Sequence, residues 1–222
     1  MKRNIGMLLI ALLISINIGC STGTGIIPSG LEPSWTKTID VPYTKQPNVY
    51  TCGPTSLRMV MEYYGVSKTV TEISNYMASI GHDPNPSGVG YTAITLAASN
   101  YGFNTSVKED KSNWEELIKA IKAGKPCIAH LEILGNDCPR YYPSNEPAYS
   151  GRVGHYVVVV GLKADSNDKL VYVVVNDPAR QGSQVDQGWS EDHVLYTYSS
   201  FDKAWKNDSV GKNRRLIILE KK

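Results

Sequence analysis

The sequence predicts an α+β domain, helical in its first half and strand-rich in its second, the two halves forming lobes of a single domain. Three observations predict it. Segments with helical apolar spacing or helix-capping signals crowd residues 54–124. Residues 155–162 and 170–175 are instead runs dominated by valine, as buried strands are. At 222 residues, with 41% hydrophobic and 20% charged side chains, the chain suits one large domain with a real core, which excludes wholesale disorder.

Residues 38–43 read as an extended lead-in. After Cys52-Gly53-Pro54, the apolar side chains Leu57, Val60, Met61 and Tyr64 keep the i, i+3, i+4, i+7 spacing of a helix beginning at Pro54, and Gly65 suits its stop. Thr69 and Glu72 form a capping box for a second helix reaching residue 79. Two prolines and two glycines make 82–90 a loop, before a third helix over 91–100 that ends near Gly102. A strand at 103–107 follows. Ser112 and Glu115 frame another capping box, and Trp114, Leu117, Ile118 and Ile121 hold helical spacing as far as Gly124. A strand at 127–133 precedes a Pro-, Gly- and Tyr-rich loop over 135–154, a length that in compact domains often marks function. Strands at 155–162 and 170–175 flank a polar turn. Two more, at 194–198 and 215–219, enclose a short helix at 201–205.

The N-terminus reads as an address. Lys2 and Arg3 precede an almost unbroken apolar run over 5–18. A bilayer span takes about 20 residues, so this shorter run with a basic flank is a secretory signal peptide, assigned to 1–19. Gly19-Cys20, followed by Ser21-Thr22-Gly23-Thr24-Gly25, resembles a bacterial lipoprotein processing site, with Asn17 where a Leu-like residue is usual. Cys20 then becomes a lipid-bearing first residue held at the membrane surface, each buried methylene adding about 0.8 kcal/mol. The alternative is ordinary cleavage near Gly19 and a secreted product. Both place the mature protein outside the cytoplasm, with 20–35 a flexible linker and 36–222 the folded domain.

Lys2 and Arg3 also account for the net charge of +2; without them 21 basic residues face 21 acidic ones. A neutral mature chain lacks an electrostatic handle for nucleic acid. His82, His130 and His193 have no partner at ligand spacing, and neither His-Glu-x-x-His nor Cys-x-x-Cys occurs. Asp165-Ser166-Asn167-Asp168 lacks the glycine and distal glutamate of a calcium loop. No metal and no cofactor are expected.

One set of residues suits a thiol mechanism. Cys52 lies just before a helix start, where unpaired N–H groups and the helix dipole push a thiol toward thiolate. His155 opens one valine-rich strand and Asp177 ends the next. If Leu162 pairs with Leu170 around the polar turn, the same register sets His155 directly opposite Asp177, with Cβ atoms about 5 Å apart. A carboxylate there fixes the imidazole tautomer, although a slip of one residue would send the two side chains to opposite faces. Asn176 is the competing orienter. Gln46, six positions before Cys52, offers an amide donor that with the Cys52 N–H would form an oxyanion hole.

Together these stretches resemble the papain-like superfamily, and within it the bacteriocin-processing, double-glycine peptidases of cysteine peptidase family thirty-nine. The matching segments are Val41-Pro42-Tyr43, Gln46 through Pro54, Gly154 through Gly161, and Val175-Asn176-Asp177-Pro178, in a resemblance spanning 39–219. It implies a papain-like fold, with Cys52 as nucleophile, His155 as base and acid, Asp177 as orienter and Gln46 as oxyanion donor. The implied substrate is a peptide or protein, and the protein is expected to act as a monomer. Relatives that trim double-glycine leaders are fused to transporters, whereas this chain shows neither transporter helices nor an ATP-binding loop. Leader trimming is therefore not expected.

Alternatives stay open at this point. The same triad serves an acyltransferase or a non-peptide amide hydrolase, and the scaffold without turnover would be a surface binding module. Cys127 and Cys138 form a disulfide in an oxidising compartment, or Cys127 stays a buried free thiol. Tyr141, Tyr142 and Tyr149 line a cleft or anchor the long loop.

Overall fold

The computed structural model describes residues 35–109, 113–134, 152–179, 192–206 and 214–222. The predicted signal peptide, Cys20 and the linker as far as 34 lie outside these, as do Cys138, Tyr141, Tyr142 and Tyr149.

Strand β1 (Trp35–Thr38) leads into helices α1 (Cys52–Tyr63), α2 (Val70–Ser79) and α3 (Tyr91–Asn100). The Thr69–Glu72 capping box is formed in both directions, which satisfies two otherwise orphaned backbone donors at the start of α2. Gly65 (φ 76°) and Gly102 (φ 90°) follow α1 and α3 in the left-handed conformation that costs glycine least. The chain continues through β2 (Phe103–Lys108), α4 (Asn113–Lys122), β3 (Cys127–Leu134), β4 (Arg152–Ala164), β5 (Leu170–Asn176), β6 (Val194–Thr197), α5 (Tyr198–Lys206) and β7 (Leu216–Lys221).

Among the described residues the strands make one antiparallel sheet in the order β2-β7-β3-β4-β5-β6, with β1 added against the distal part of β4. Helix α1 packs on β3 and β4, and α2 and α3 pack on α1. Its Leu57, Met59, Val60 and Met61 are fully buried, each adding about 1.5–3 kcal/mol relative to exposure. Helix α5 lies on β3, β5 and β6, and its Phe201 and Trp205 meet Trp114 of α4 edge-on. This is the predicted α+β architecture, helices first and sheet after.

Several boundaries move. Strand β1 includes Trp35, the last residue assigned to the linker, and Ile39 donates its N–H to Val160 O. Helix α1 begins at Cys52 rather than Pro54, and α5 at Tyr198 rather than residue 201. Strand β4 reaches back to Arg152, because pairing with all of β3 extends it into the stretch read as loop.

The β4–β5 register also differs from the expected one. Leu162 pairs with Val173, not Leu170, and Val160 is an extra residue between the pairs Val159↔Val175 and Gly161↔Val174. That bulge decides the geometry of everything below. Carried on without it, the Leu162↔Val173 register would put Asp177 opposite Val158 and His155 on the other face. One extra residue restores the parity, so that Asp177 falls beyond the last pair, Val158↔Asn176, on the face of Val157 and His155. The two are diagonal neighbours rather than directly opposed. Gly161 permits the crowding here, since a Cβ would lie 2.6 Å from Lys37 O and 3.1 Å from Val174 Cβ.

Candidate active site

Cys52 is the first residue of α1, so its N–H has no partner within the helix. Thr51, the residue before it, does not cap the helix with its side chain; its hydroxyl goes back to Asn48 O at 3.1 Å. Gly53 lets the helix mouth close on its surroundings: a Cβ there would be 2.7 Å from Val89 Cγ2 and 3.5 Å from Tyr156 Cδ2. The Ser56 hydroxyl donates to Tyr156 O at 3.2 Å and ties α1 to β4 one residue beyond His155. The close approach of Val89 and Tyr156 explains the glycine that follows Cys52.

His155 on β4 donates its Nε2–H to Asp177 Oδ1 at 2.8 Å, and both side chains are buried. Nδ1 is then the nitrogen left for Cys52, with which His155 shares a side-chain hydrogen bond. Asp177, just past β5, is fully buried and accepts further hydrogen bonds from Ala179 N at 2.8 Å and from the Tyr196 hydroxyl at 2.6 Å. The charged form of that carboxylate is thus well supplied with donors.

The electrostatics follow from this arrangement. Burial opposes ionisation of Cys52 and is the largest single influence on it. The hydrogen bond and charge of His155, with backbone hydrogen bonds from Tyr156 and Gly53, together outweigh it and hold the thiol below its ordinary value. For His155, burial pulls downward, but the charge and hydrogen bond of Asp177 and then of Cys52 push it up to about 10. Both directions favour a thiolate beside an imidazolium at neutral pH.

Gln46 is anchored next to this group, its N–H donating to Pro178 O at 2.8 Å, immediately after Asp177. Its side chain is half-buried, and its Oε1 is buried without a partner among the described residues. Arg58 of α1 holds the same lead-in loop by a hydrogen bond to Thr44 Oγ1. The competing orienter, Asn176, is occupied elsewhere: its Nδ2 donates to Val41 O at 2.8 Å and its Oδ1 accepts His193 N at 3.0 Å. The structure therefore brings Cys52, His155 and Asp177 into direct contact and sets the Gln46 backbone against Pro178.

Tyr196 is the residue the sequence reading missed. Only the pairing of β6 with β5 brings it near Asp177, and its one local signal, a hydroxyl-bearing aromatic in a short strand, is common. Cys127, proposed as half of a disulfide with Cys138, is a buried free thiol whose Sγ donates to Lys125 O at 3.4 Å. Among the described residues no three His, Cys, Asp or Glu side chains gather as a metal cluster.

The family model described as Peptidase C39-like matches residues 38–210, most of the chain and all of the site. The chain belongs to the Peptidase C39-like family. It is a cysteine peptidase by that membership. Its fold is similar to that of a C39-like peptidase from Bacillus anthracis (TM-score 0.55, 22% identity, covering 84% of this chain and 98% of that one). It is also similar to the peptidase domain of Streptococcus ComA, a bifunctional ABC transporter of a quorum-sensing pathway (TM-score 0.53, 18% identity, 81% and 98%). A third similar structure is a double-glycine motif protease from an AMS/PCAT transporter, solved with its leader peptide (TM-score 0.51, 21% identity, 84% and 95%). No curated protein matches the chain.

Proposed function

We propose that this peptidase is exported, is held at the outer face of the cell membrane by a lipid on Cys20, and hydrolyses peptide bonds through Cys52, His155 and Asp177. The observation that carries the reading is the buried chain of contacts from thiol to imidazole to carboxylate, with Nε2 to Oδ1 at 2.8 Å. The peptide bound in the similar transporter protease supports a peptide substrate here.

In this mechanism the Cys52 thiolate attacks the scissile carbonyl carbon, and a C–S bond forms as the carbonyl electrons move onto oxygen. The Gln46 side-chain amide and the Cys52 N–H receive that oxyanion. His155 gives its proton to the leaving amine as the C–N bond breaks, leaving a thioester. Water then attacks the thioester, its proton passing to His155, and the acid product departs with return of the thiolate. Asp177 holds the imidazole with one nitrogen toward sulfur throughout.

Iodoacetamide trapping tests the site. Rapid labelling of the native protein should vanish in Cys52→Ala and drop severely in His155→Ala; labelling of native Cys52 no faster than of denatured chain would refute the reading. For the anchor, a clickable fatty acid fed to expressing cells should enter the wild type and not Cys20→Ser, and an unlabelled wild type would leave a secreted enzyme instead.

A further inference from the structure

The Asp177 carboxylate has two oxygens, and the mechanism above uses one. Oδ1 receives His155 Nε2 and Ala179 N. Oδ2 receives the hydroxyl of Tyr196 at 2.6 Å, a short bond of the kind made to an ionised acceptor. Tyr196 is fully buried, pairs with Val173 across β5–β6, and rests its ring on Phe201 of α5 with centroids 6.2 Å apart. Its described link to the site is the Asp177 carboxylate, through which it acts on the imidazole. His155 is faced by Cys52 from α1 and by Asp177 from the end of β5, and Asp177 by His155 from β4.

We propose that Tyr196 is a positioning residue for the peptidase reaction, its hydroxyl pinning Oδ2 so that Oδ1 stays aligned on His155. The inference rests on the Cys52–His155–Asp177 reading. A carboxylate turns readily about its own axis, and its two oxygens are equivalent until their partners differ. Here one side is fixed by the imidazole and a backbone N–H, the other by a phenol delivered from a different strand. Without that phenol, Oδ2 loses the short hydrogen bond that fixes it in a buried site, which favours rotation or entry of water. Rotation lengthens the bond to Nε2 and loosens the hold on the imidazolium.

The test is an NMR titration of the His155 ring nitrogens in the full chain, with the low-field Nε2 proton followed alongside. In Tyr196→Phe the imidazolium should give up its proton about tenfold more readily, a midpoint about one pH unit lower, and the low-field proton should weaken. Phe201→Leu, which loosens the same packing without touching the hydrogen bond, should lower Tm and leave the midpoint in place. A midpoint unchanged or higher in Tyr196→Phe overturns the proposal. Should that variant not fold, the wild type decides: the Cζ signal of Tyr196 should move with the His155 titration, and a flat signal overturns the proposal equally. A wild-type Cys52 that reacts as an ordinary thiol would sink the triad reading together with this inference. A reactive Cys52 with an indifferent Tyr196→Phe would sink the inference alone.

Discussion

Two cysteines are buried among the described residues, and their surroundings give them opposite chemistry. Cys52 sits at the mouth of α1 beside His155, and its thiol is held below the ordinary value. Cys127 sits at the head of β3, where burial pushes its thiol well up, opposed only weakly by Lys125. Its neighbour is a backbone carbonyl, a group that welcomes S–H and repels thiolate. Burial is thus not what makes a thiol reactive; it raises both. A cation held in contact reverses the sign, and here that cation is supported first by Asp177 behind it and then by Cys52 itself.

The comparison can be broken in order of expected effect. Replacing Cys52 by Ala should abolish peptide hydrolysis, with kcat falling by more than about 10⁴-fold, whereas Cys127→Ala should leave kcat unchanged. Asp177→Asn keeps the shape but removes the charge behind the imidazole; a drop in kcat of about 10²–10⁴-fold is expected, and activity within twofold of wild type would show that His155 needs no partner. Native protein treated with iodoacetamide at neutral pH should be modified at Cys52 about 10²-fold faster than at Cys127, read by peptide mass mapping. Equal labelling would erase the contrast.

Smaller effects concern stability. Because the folded His155 stands near 10 against an ordinary 6.5, it adds stability that is complete below pH 6.5 and lost as pH climbs through about 10. Tm of the wild type should therefore fall across that window more steeply than Tm of Asp177→Asn. The cavity left by Cys127→Ala should cost about 1–2 kcal/mol in denaturant unfolding, with no change in the pH dependence of activity.

Local rules carried much of the fold and of the site. The Thr69–Glu72 box and the stops at Gly65 and Gly102 depend on a few neighbouring residues, and each falls where spacing puts it. Cys52 stood out because a helix start is a local feature too, and His155 because it lies in a valine-rich run, although β4 begins three residues before it. What escaped is long-range. Nothing near the turn says that Ala164 rather than Leu162 meets Leu170, so the pairing was read two residues off; the extra residues Val171 and Val160 then cancel, leaving that offset at His155 and Asp177. Both registers share parity, and so they put the two side chains on one face. Tyr196 escaped because its value comes wholly from a strand pairing that its own sequence does not specify, and β1 because its four residues pair only with the far end of β4.

The most direct measurement is the pH at which Cys52 becomes half-maximally reactive toward iodoacetamide, in wild type and in His155→Ala. With the imidazole in place the midpoint should lie well below that of an ordinary thiol. Without it, burial is opposed only by the backbone hydrogen bonds of Tyr156 and Gly53, and the midpoint should rise above the ordinary value. Coincident curves for the two proteins would contradict the account.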